Sequence, residues 1–341
     1  MKPRNFHSLQ SLFSVGLVLV VVLSMIPLSG CSRPSAKMHR VGILAGLPYA
    51  DRAVDGFRDR MTELGYIEGQ NITYDLQRTS GVDIPAYQPI LQRFVADKVD
   101  LIFVFPTEAS LEAKAATKDT GIPVVFSVAH TEGVGLVDSI REPGGNITGV
   151  RFPGPESTLK RMEIMMQIAP HAKRWLVPYL RDYPIVPPQL ERLRPAAASA
   201  GITLIEAPAQ DVQELEAILQ AHEFADGSTD IDALLLIAEP LILAPQAFLA
   251  AARFAERHRI PMGGAYMEVQ NYRSLFGVTI DFYKSGQQAA FLADKILRGT
   301  PAGTLPVLTA DLYIQINYQV ARELGLEVPA QLLGEADEVI R

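Results

Sequence analysis

Short apolar runs alternate with longer segments of helical periodicity along most of this sequence, and this alternation restricts the possible fold most. The run at 39–46 predicts a buried strand. After it, Val54, Phe57 and Met61 recur at helical spacing, and Gly65 suits the C-terminal cap of that helix. Strands that alternate with helices are typical of a parallel sheet covered by helices on both faces. Further strands are predicted at 71–77, 99–105 and 122–128.

The same alternation repeats in the second half of the chain. Asp211 and Glu214 have the spacing of a capping box at a helix start. Pro195 interrupts a helical segment and predicts a kink or the start of a shorter helix. With 341 residues, the sequence predicts an α/β protein with two units of similar plan. The strands of the second unit are predicted at 174–180, 201–207, 231–239 and 259–265.

A different pattern occupies the N-terminus. Lys2 and Arg4 precede an apolar segment from about Leu12 to Ile26, as in a secretory signal. This segment of about 15 residues is shorter than the roughly 20 that a membrane-spanning helix needs. The sequence "LSGC", which ends at Cys31, resembles a bacterial lipobox and implies cleavage before Cys31 and lipid attachment to its sulfur. The alternatives are an uncleaved anchor and a chance match.

Charge and motif content exclude several classes of function. The formal net charge is −7 without a dense Lys/Arg cluster, so nucleic acid is not an expected partner. Cys31 is the single cysteine, so neither an internal disulfide nor a cysteine-rich zinc site can form. The six histidines show no H-E-x-x-H spacing, and we expect no metal or cofactor. Nucleophile-elbow, Walker A and kinase motifs are absent, so we do not expect an enzyme.

Polar residues at the predicted strand ends are candidate ligand contacts, because ligands of open parallel sheets bind beyond the carboxyl ends of strands. Thr107 and Ser110 lie where a strand turns into a helix, and their hydroxyls suit a ligand carboxylate. Thr107 is also a plausible helix N-cap. Glu239 is an isolated acid that could pair with a ligand ammonium group. The candidate ligand-binding residues are Tyr49, Asp51, Thr107, Glu108, Ser110, Ser127, His130, Tyr179, Asp182, Glu239 and Tyr266.

Each candidate also has a purely structural interpretation. A hydroxyl can cap its own helix, an acid can face solvent, and a tyrosine can pack within a loop. The sequence leaves both interpretations open.

Several ordered segments resemble a known family. They include "DLIFVFPTEAS" at 100–110, "PGGNITG" at 143–149, "DFYKSGQQAAFLADKILRGTPAGTLPV" at 281–307 and "INYQVARELGLEVP" at 316–329. With them, the mature chain resembles the solute-binding lipoproteins of ABC transporters that are related to branched-chain amino-acid receptors. Some members of that family bind aromatic amino acids.

The resemblance implies a type I periplasmic-binding-protein fold, in which two α/β lobes enclose a cleft and the chain crosses between them three times. The implied crossings lie near 148–152, 271–277 and 307–313. Thr107 matches a threonine of the family, and Glu239 stands where the family usually has Asp. Two loops depart from the family pattern, "YLRDYPIVPP" and "AHTEG". The implied division is a signal peptide at 1–30, a tether at 31–38, a first lobe at 39–149 plus 275–308, and a second lobe at 150–274 plus 309–341.

The resemblance also implies a function. We expect an extracytoplasmic, membrane-anchored component of an ABC importer that binds a small organic solute, such as an amino acid or related carboxylate. Its expected partners are a permease with its ATPase subunit and the membrane, through the lipid on Cys31, and a monomer is expected. The alternative is a ligand-sensing receptor of the same fold that signals without transport. An α/β enzyme is the third interpretation.

Overall fold

The first sheet consists of six parallel strands, and helices connect the first four of them in chain order, as parallel pairing requires. The computed structural model describes residues 37–341, and residues 38–341 pack as one unit. The strands are β1 (His39–Ala45), β2 (Ile72–Arg78), β3 (Leu101–Phe105), β4 (Val124–Ala129), β5 (Ile147–Arg151) and β13 (Leu308–Thr309). Their order across the sheet is β13-β5-β4-β3-β1-β2. We call this sheet with its helices the first lobe.

The central strands of this sheet are buried along their whole length, as their continuous apolar sequences predict. Separate apolar cores therefore cover the two faces of the sheet. Asp83 and Asp281 cap two of the covering helices by accepting hydrogen bonds from backbone N–H groups. The helices are α1 (Arg52–Glu63), α2 (Ile84–Ala96), α3 (Thr107–Thr117) and α9 (Phe282–Leu297).

A mixed sheet forms the centre of the second lobe. Its parallel part contains β6 (Arg174–Leu180), β7 (Thr203–Ala209), β8 (Ala233–Leu235) and β9 (Met262–Gly263), in the order β7-β6-β8-β9. Its other part contains β12 (Phe276–Ile280), β14 (Leu312–Asn317) and β15 (Glu338–Ile340), and a bridge from Gly264 to Gly277 joins the two parts. A short hairpin of β10 (Glu268–Val269) and β11 (Tyr272–Arg273) lies between them in the chain.

Two sequence predictions concern the helices of the second lobe. Asp211 accepts a hydrogen bond from the Glu214 N–H at 2.9 Å, so the predicted cap is confirmed. Pro195 lies inside a continuous helix and does not begin a shorter one. The helices are α4 (Gly154–Ile168), α5 (Val186–Ser199), α6 (Val212–Ala221), α7 (Pro240–Leu243), α8 (Pro245–His258), α10 (Tyr318–Leu324) and α11 (Ala330–Glu335).

Three connections join the lobes, at 152–153, at Asp281 and at 310–311. The first and third lie at or within the predicted crossing segments. The second lies later than predicted, because β12 pairs antiparallel with β14 and packs into the core of the second lobe. The prediction that the chain returns to the first lobe from about residue 275 is therefore wrong for this strand. The chain returns to the first lobe only from Phe282, with α9 and then β13.

Two glycines let α1 and α9 approach each other closely in the first lobe. A Cβ atom built on Gly286 would lie 2.0 Å from the backbone oxygen of Ala53. A Cβ atom on Gly56 would lie 2.0 Å from the backbone oxygen of Tyr283. Both conflicts involve backbone atoms, so neither position accommodates a side chain unless the helices move apart.

The apolar segment 12–26 and the lipobox with Cys31 lie outside the described residues. Within residues 37–341, the helices are all too short or too polar to cross a bilayer. The same part of the chain holds no cluster of His, Cys, Asp and Glu side chains with metal-binding geometry.

Candidate functional site

A cavity of about 580 Å³ lies between the two lobes, next to the first and second connections. The first lobe contributes the ends of its parallel strands and the start of α3, and the second lobe contributes the loops after β6, β8 and β9. Strand ends of both sheets therefore meet at one site, as the topology of open parallel sheets leads us to expect. Its polar and aromatic lining residues are Tyr49, Thr107, Glu108, His130, Phe152, Tyr183, Glu239, Tyr266, Thr279, Phe282 and Gln315.

The structure brings six of the eleven candidate residues to this cavity, and the other five lie elsewhere. The six are Tyr49, Thr107, Glu108, His130, Glu239 and Tyr266.

Two serines that were candidates are buried and bonded within the first lobe. Ser110 lies in the first turn of α3, and its hydroxyl donates to the Pro106 carbonyl at 2.6 Å. Ser127 lies inside β4, and its hydroxyl is 2.6 Å from that of Ser285 on α9. Both hydroxyls therefore serve helix and sheet packing and do not line the cavity.

Three further candidates in the strand-end loops lie outside the cavity lining. Asp51 accepts hydrogen bonds from the Arg78 guanidinium, with Nε to Oδ1 at 3.0 Å. The hydroxyl of Tyr179 donates to Glu206 at 2.9 Å, on the next strand of the sheet. Asp182 is exposed to solvent. Asp51 and Tyr179 are therefore bonded to Arg78 and Glu206, and Asp182 faces solvent.

Thr107 lies in the cavity wall but does not cap its helix. Pro106 occupies the N-cap position, and Thr107 is the first helical residue. Its hydroxyl oxygen accepts a hydrogen bond from the His130 N–H at 3.0 Å. This bond joins the start of α3 to the loop that follows β4. The hydroxyl hydrogen is therefore free to donate to a ligand, beside the first-turn N–H groups of α3.

Glu239 forms the opposite polar wall. Its two carboxylate oxygens accept hydrogen bonds from the N–H groups of Leu241 at 2.9 Å and Ile242 at 3.0 Å. The residue is only 1% exposed, and burial raises the pKa of its carboxyl group above the usual range. A cation placed against this carboxylate would compensate the charge that burial disfavours.

One hydrogen bond crosses the cavity from lobe to lobe. The hydroxyl of Tyr183, in the loop after β6, donates to the carboxylate of Glu108 on α3. Burial and the neighbouring carboxylate both raise the pKa of the Tyr183 hydroxyl, so it remains a donor. Tyr183 belongs to the loop "YLRDYPIVPP" that departs from the family pattern, which is the one signal that could have identified it.

His130 contributes a neutral ring to the cavity. Burial, followed by the charges of Arg161 and Arg151, lowers its pKa to about 3. The ring packs against Phe152 with the centroids 4.9 Å apart. A neutral imidazole carries one donor and one acceptor, so His130 can form a hydrogen bond to a ligand without adding charge.

Aromatic side chains that the sequence did not single out form much of the remaining wall. Phe152 lies at the first connection between the lobes, and Phe282 follows the second. The Phe282 ring lies 5.9 Å from the ring of Tyr49. Together with Tyr183 and Tyr266 on the second lobe, these rings give the cavity a largely apolar wall. Its few polar groups lie on the first lobe, as Thr107 does, or on the second, as Glu239 does.

Two α/β lobes joined by three connections, with a cavity between them, define the class of two-lobed solute-binding proteins. The profile of the ABC transporter substrate binding protein family matches residues 41–340. The chain therefore belongs to the ABC transporter substrate-binding protein family, whose members bind a solute and are not enzymes.

Known proteins agree with this assignment. The chain is 29% identical over 330 residues to a tyrosine-binding protein of Clostridioides difficile, with 92% of each protein covered. A Vibrio cholerae structure described as a conserved domain protein shares 25% identity and a TM-score of 0.73, covering 89% of this chain and all of that one. The L-Trp complex of a Streptococcus pneumoniae ABC domain shares 23% identity with the same TM-score and coverage.

Proposed function

We propose that this protein binds an aromatic L-amino acid in the cavity between its lobes and presents it to the permease of an ABC importer. The observation that carries this proposal is the arrangement of the cavity. Donors lie at one side, at Thr107 and the start of α3, and a buried carboxylate lies at the other, at Glu239. Aromatic rings line the space between them.

The two polar sides match the two charged groups of an amino acid. The Thr107 hydroxyl and the first-turn N–H groups of α3 can donate to the ligand carboxylate. The buried Glu239 carboxylate can accept from the ligand ammonium group while it keeps its own backbone bonds. The size of the cavity is within the usual range for small-molecule sites, roughly 300–1,000 Å³.

The relative of known specificity supports an aromatic side chain. The tyrosine-binding protein of Clostridioides difficile is similar along nearly the whole of both chains. The rings of Tyr49, Phe152, Tyr183, Tyr266 and Phe282 offer faces and edges against which an aromatic ligand can pack. Closure of the lobes around the connections would then bury the ligand.

L-Tyrosine, L-tryptophan or L-phenylalanine should stabilise the purified protein. At a hundredfold excess over Kd, a bound ligand raises the free energy of unfolding by about 2.7 kcal/mol, which a thermal-shift assay detects readily. N-acetyl-L-tyrosine, which lacks the ammonium group, is the matched control and should cause little shift. Stabilisation by sugars or dicarboxylates, but by none of the aromatic amino acids, would contradict the proposal.

We also propose that a lipid on Cys31 anchors the protein to the outer face of a membrane, near its permease and ATPase subunit. The signal-like N-terminus and the "LSGC" sequence support this. More than one acyl chain is needed for stable anchoring, and a lipidated N-terminal cysteine supplies it.

The change Cys31→Ser should release the protein from the membrane fraction and leave ligand affinity unchanged, because the ligand cavity lies within residues 38–341. Incorporation of labelled palmitate into the wild type, measured beside the serine variant, checks this directly. A wild type that takes up no label would refute the anchoring.

A further inference from the structure

An arginine without a carboxylate partner is buried behind the cavity wall. Arg161 on α4 is 0% exposed. Its Nε donates to the Gly264 carbonyl at 2.9 Å and its Nη2 to the Val278 carbonyl at 2.7 Å. Its Nη1 has no hydrogen-bond partner, and among residues 37–341 no carboxylate forms an ion pair with it.

Such a group is costly to the fold unless another charge compensates it. Buried ions are usually paired, because removal from water disfavours an isolated charge strongly. The two carbonyl groups offer only partial negative charge. Nη1 is buried and Arg161 does not line the cavity, so a compensating anion would act on the guanidinium through space.

The cavity is the place where that anion can lie. Val278, whose carbonyl binds the guanidinium, lines the cavity. The ring of His130 also lines it, and its pKa is lowered by burial and, after that, by the charge of Arg161. Arg151, which ends β5 directly before the first lobe connection, already forms ion pairs with Glu132 and Glu156.

The uncompensated positive charge at this wall thus belongs to Arg161. The His130 ring packs against the start of α4, the helix that carries Arg161, since a Cβ atom built on Gly154 would lie 2.8 Å from its Nδ1. The Thr107 hydroxyl oxygen accepts the His130 N–H, so Thr107 lies next to this ring. Glu239 and Glu108 are the acids in the cavity lining, and the lining contains no lysine or arginine.

We propose that Arg161 determines ligand specificity as a positioning residue, by holding the ligand carboxylate electrostatically at the Thr107–His130 side of the cavity. This inference rests on the proposed binding of an amino acid. It assigns to Arg161 the discrimination between an amino acid and the corresponding amine, which lacks the carboxylate. The guanidinium acts through the wall, without having to touch the ligand. A ligand that has the ammonium group and the ring but no carboxylate would gain nothing from Arg161.

Arg161→Gln and Arg161→Lys test this with L-tyrosine and with tyramine, which lacks the carboxylate. We expect the glutamine variant to bind L-tyrosine about 10- to 100-fold more weakly, as loss of a nearby charge at intermediate dielectric implies, and tyramine equally well. The lysine variant keeps the charge and should keep the preference for L-tyrosine. Equal losses for both ligands would show a merely structural role and overturn the proposal.

A second readout needs no ligand. The His130 ring, assigned by comparison with His130→Gln, is titrated by NMR in each protein. Loss of the Arg161 charge should raise the His130 pKa in the glutamine variant, whereas the lysine variant should titrate like the wild type. An unchanged His130 titration in the glutamine variant overturns the proposal.

The two readouts separate the possible failures. If the wild type binds neither L-tyrosine nor tyramine, the proposed function is refuted, and the His130 titration still decides whether the Arg161 charge reaches the cavity. If the glutamine variant does not fold, the lysine variant must retain both the preference for L-tyrosine and the low His130 pKa. Loss of either in a folded lysine variant counts against the proposal.

Discussion

Replacement of Glu239 by glutamine should weaken the binding of an aromatic amino acid by about 150- to 5,000-fold, because removal of one partner of a buried ion pair typically costs about 3–5 kcal/mol. The carboxylate is buried, and each oxygen already accepts one backbone N–H. Glutamine keeps the size of the side chain and one acceptor oxygen, but its NH2 group cannot accept the second backbone N–H, so the change removes the charge and one backbone hydrogen bond. Isothermal titration with L-tyrosine measures the loss.

The matched control is Asp182→Asn, which removes a carboxylate from the exposed loop after β6 that lies outside the cavity lining. It should leave the affinity unchanged. A Glu239→Gln protein that unfolds at a similar temperature to the wild type and still binds L-tyrosine with wild-type affinity would rule out Glu239 as the ammonium partner.

The same pair predicts a dependence on pH. The ionised Glu239 carboxylate binds the ligand ammonium group, so affinity falls when the pH drops through the pKa of Glu239. Because burial raises that pKa, the loss begins at a higher pH than for an ordinary glutamate. In Glu239→Gln this part of the pH dependence should disappear.

The change Gly286→Ala should destabilise the first lobe by about 1–3 kcal/mol or more, since overpacking at a close backbone contact forces elements apart. The new methyl group would lie 2.0 Å from the Ala53 backbone oxygen, and that oxygen belongs to a helix that cannot yield locally. Thermal unfolding followed by circular dichroism should show a clear drop in Tm.

Gly334→Ala is the matched control for this change. Gly334 also lies in a helix, α11, but an added Cβ atom there meets nothing within 4 Å. Alanine should therefore stabilise slightly, by about 0.5–1 kcal/mol, through the lower entropy of the unfolded chain. An equal effect of the two substitutions would contradict the close packing of α1 against α9.

Strands that are buried on both faces could be predicted from the sequence, because their apolar runs need no information about partners. The strands β3 and β4 are of this kind. The strand β9 has two residues and β12 five, and their pairing depends on residues distant in the chain. No local sequence pattern indicates such pairing, so the sequence placed the second crossing too early in the chain.

Site residues were predictable where a strand ends and a loop begins. Thr107 and Glu239 follow this rule. Ser127 fails it because β4 continues to Ala129, which places the serine inside the strand and against α9. Tyr183 reaches the cavity because of the conformation of the loop after β6, and Phe282 because it follows the second lobe connection. Both features depend on the three-dimensional arrangement.

The three lobe connections also fix the order in which the chain can become folded during synthesis. The edge strand β13 follows its neighbour β5 by roughly 160 residues, which takes about 8–30 s at ordinary elongation rates. The second lobe needs β15, which ends at Ile340. Neither lobe can therefore complete its sheet on the ribosome before almost the whole polypeptide has emerged. This delays completion of both sheets for longer than in a protein of two consecutive domains.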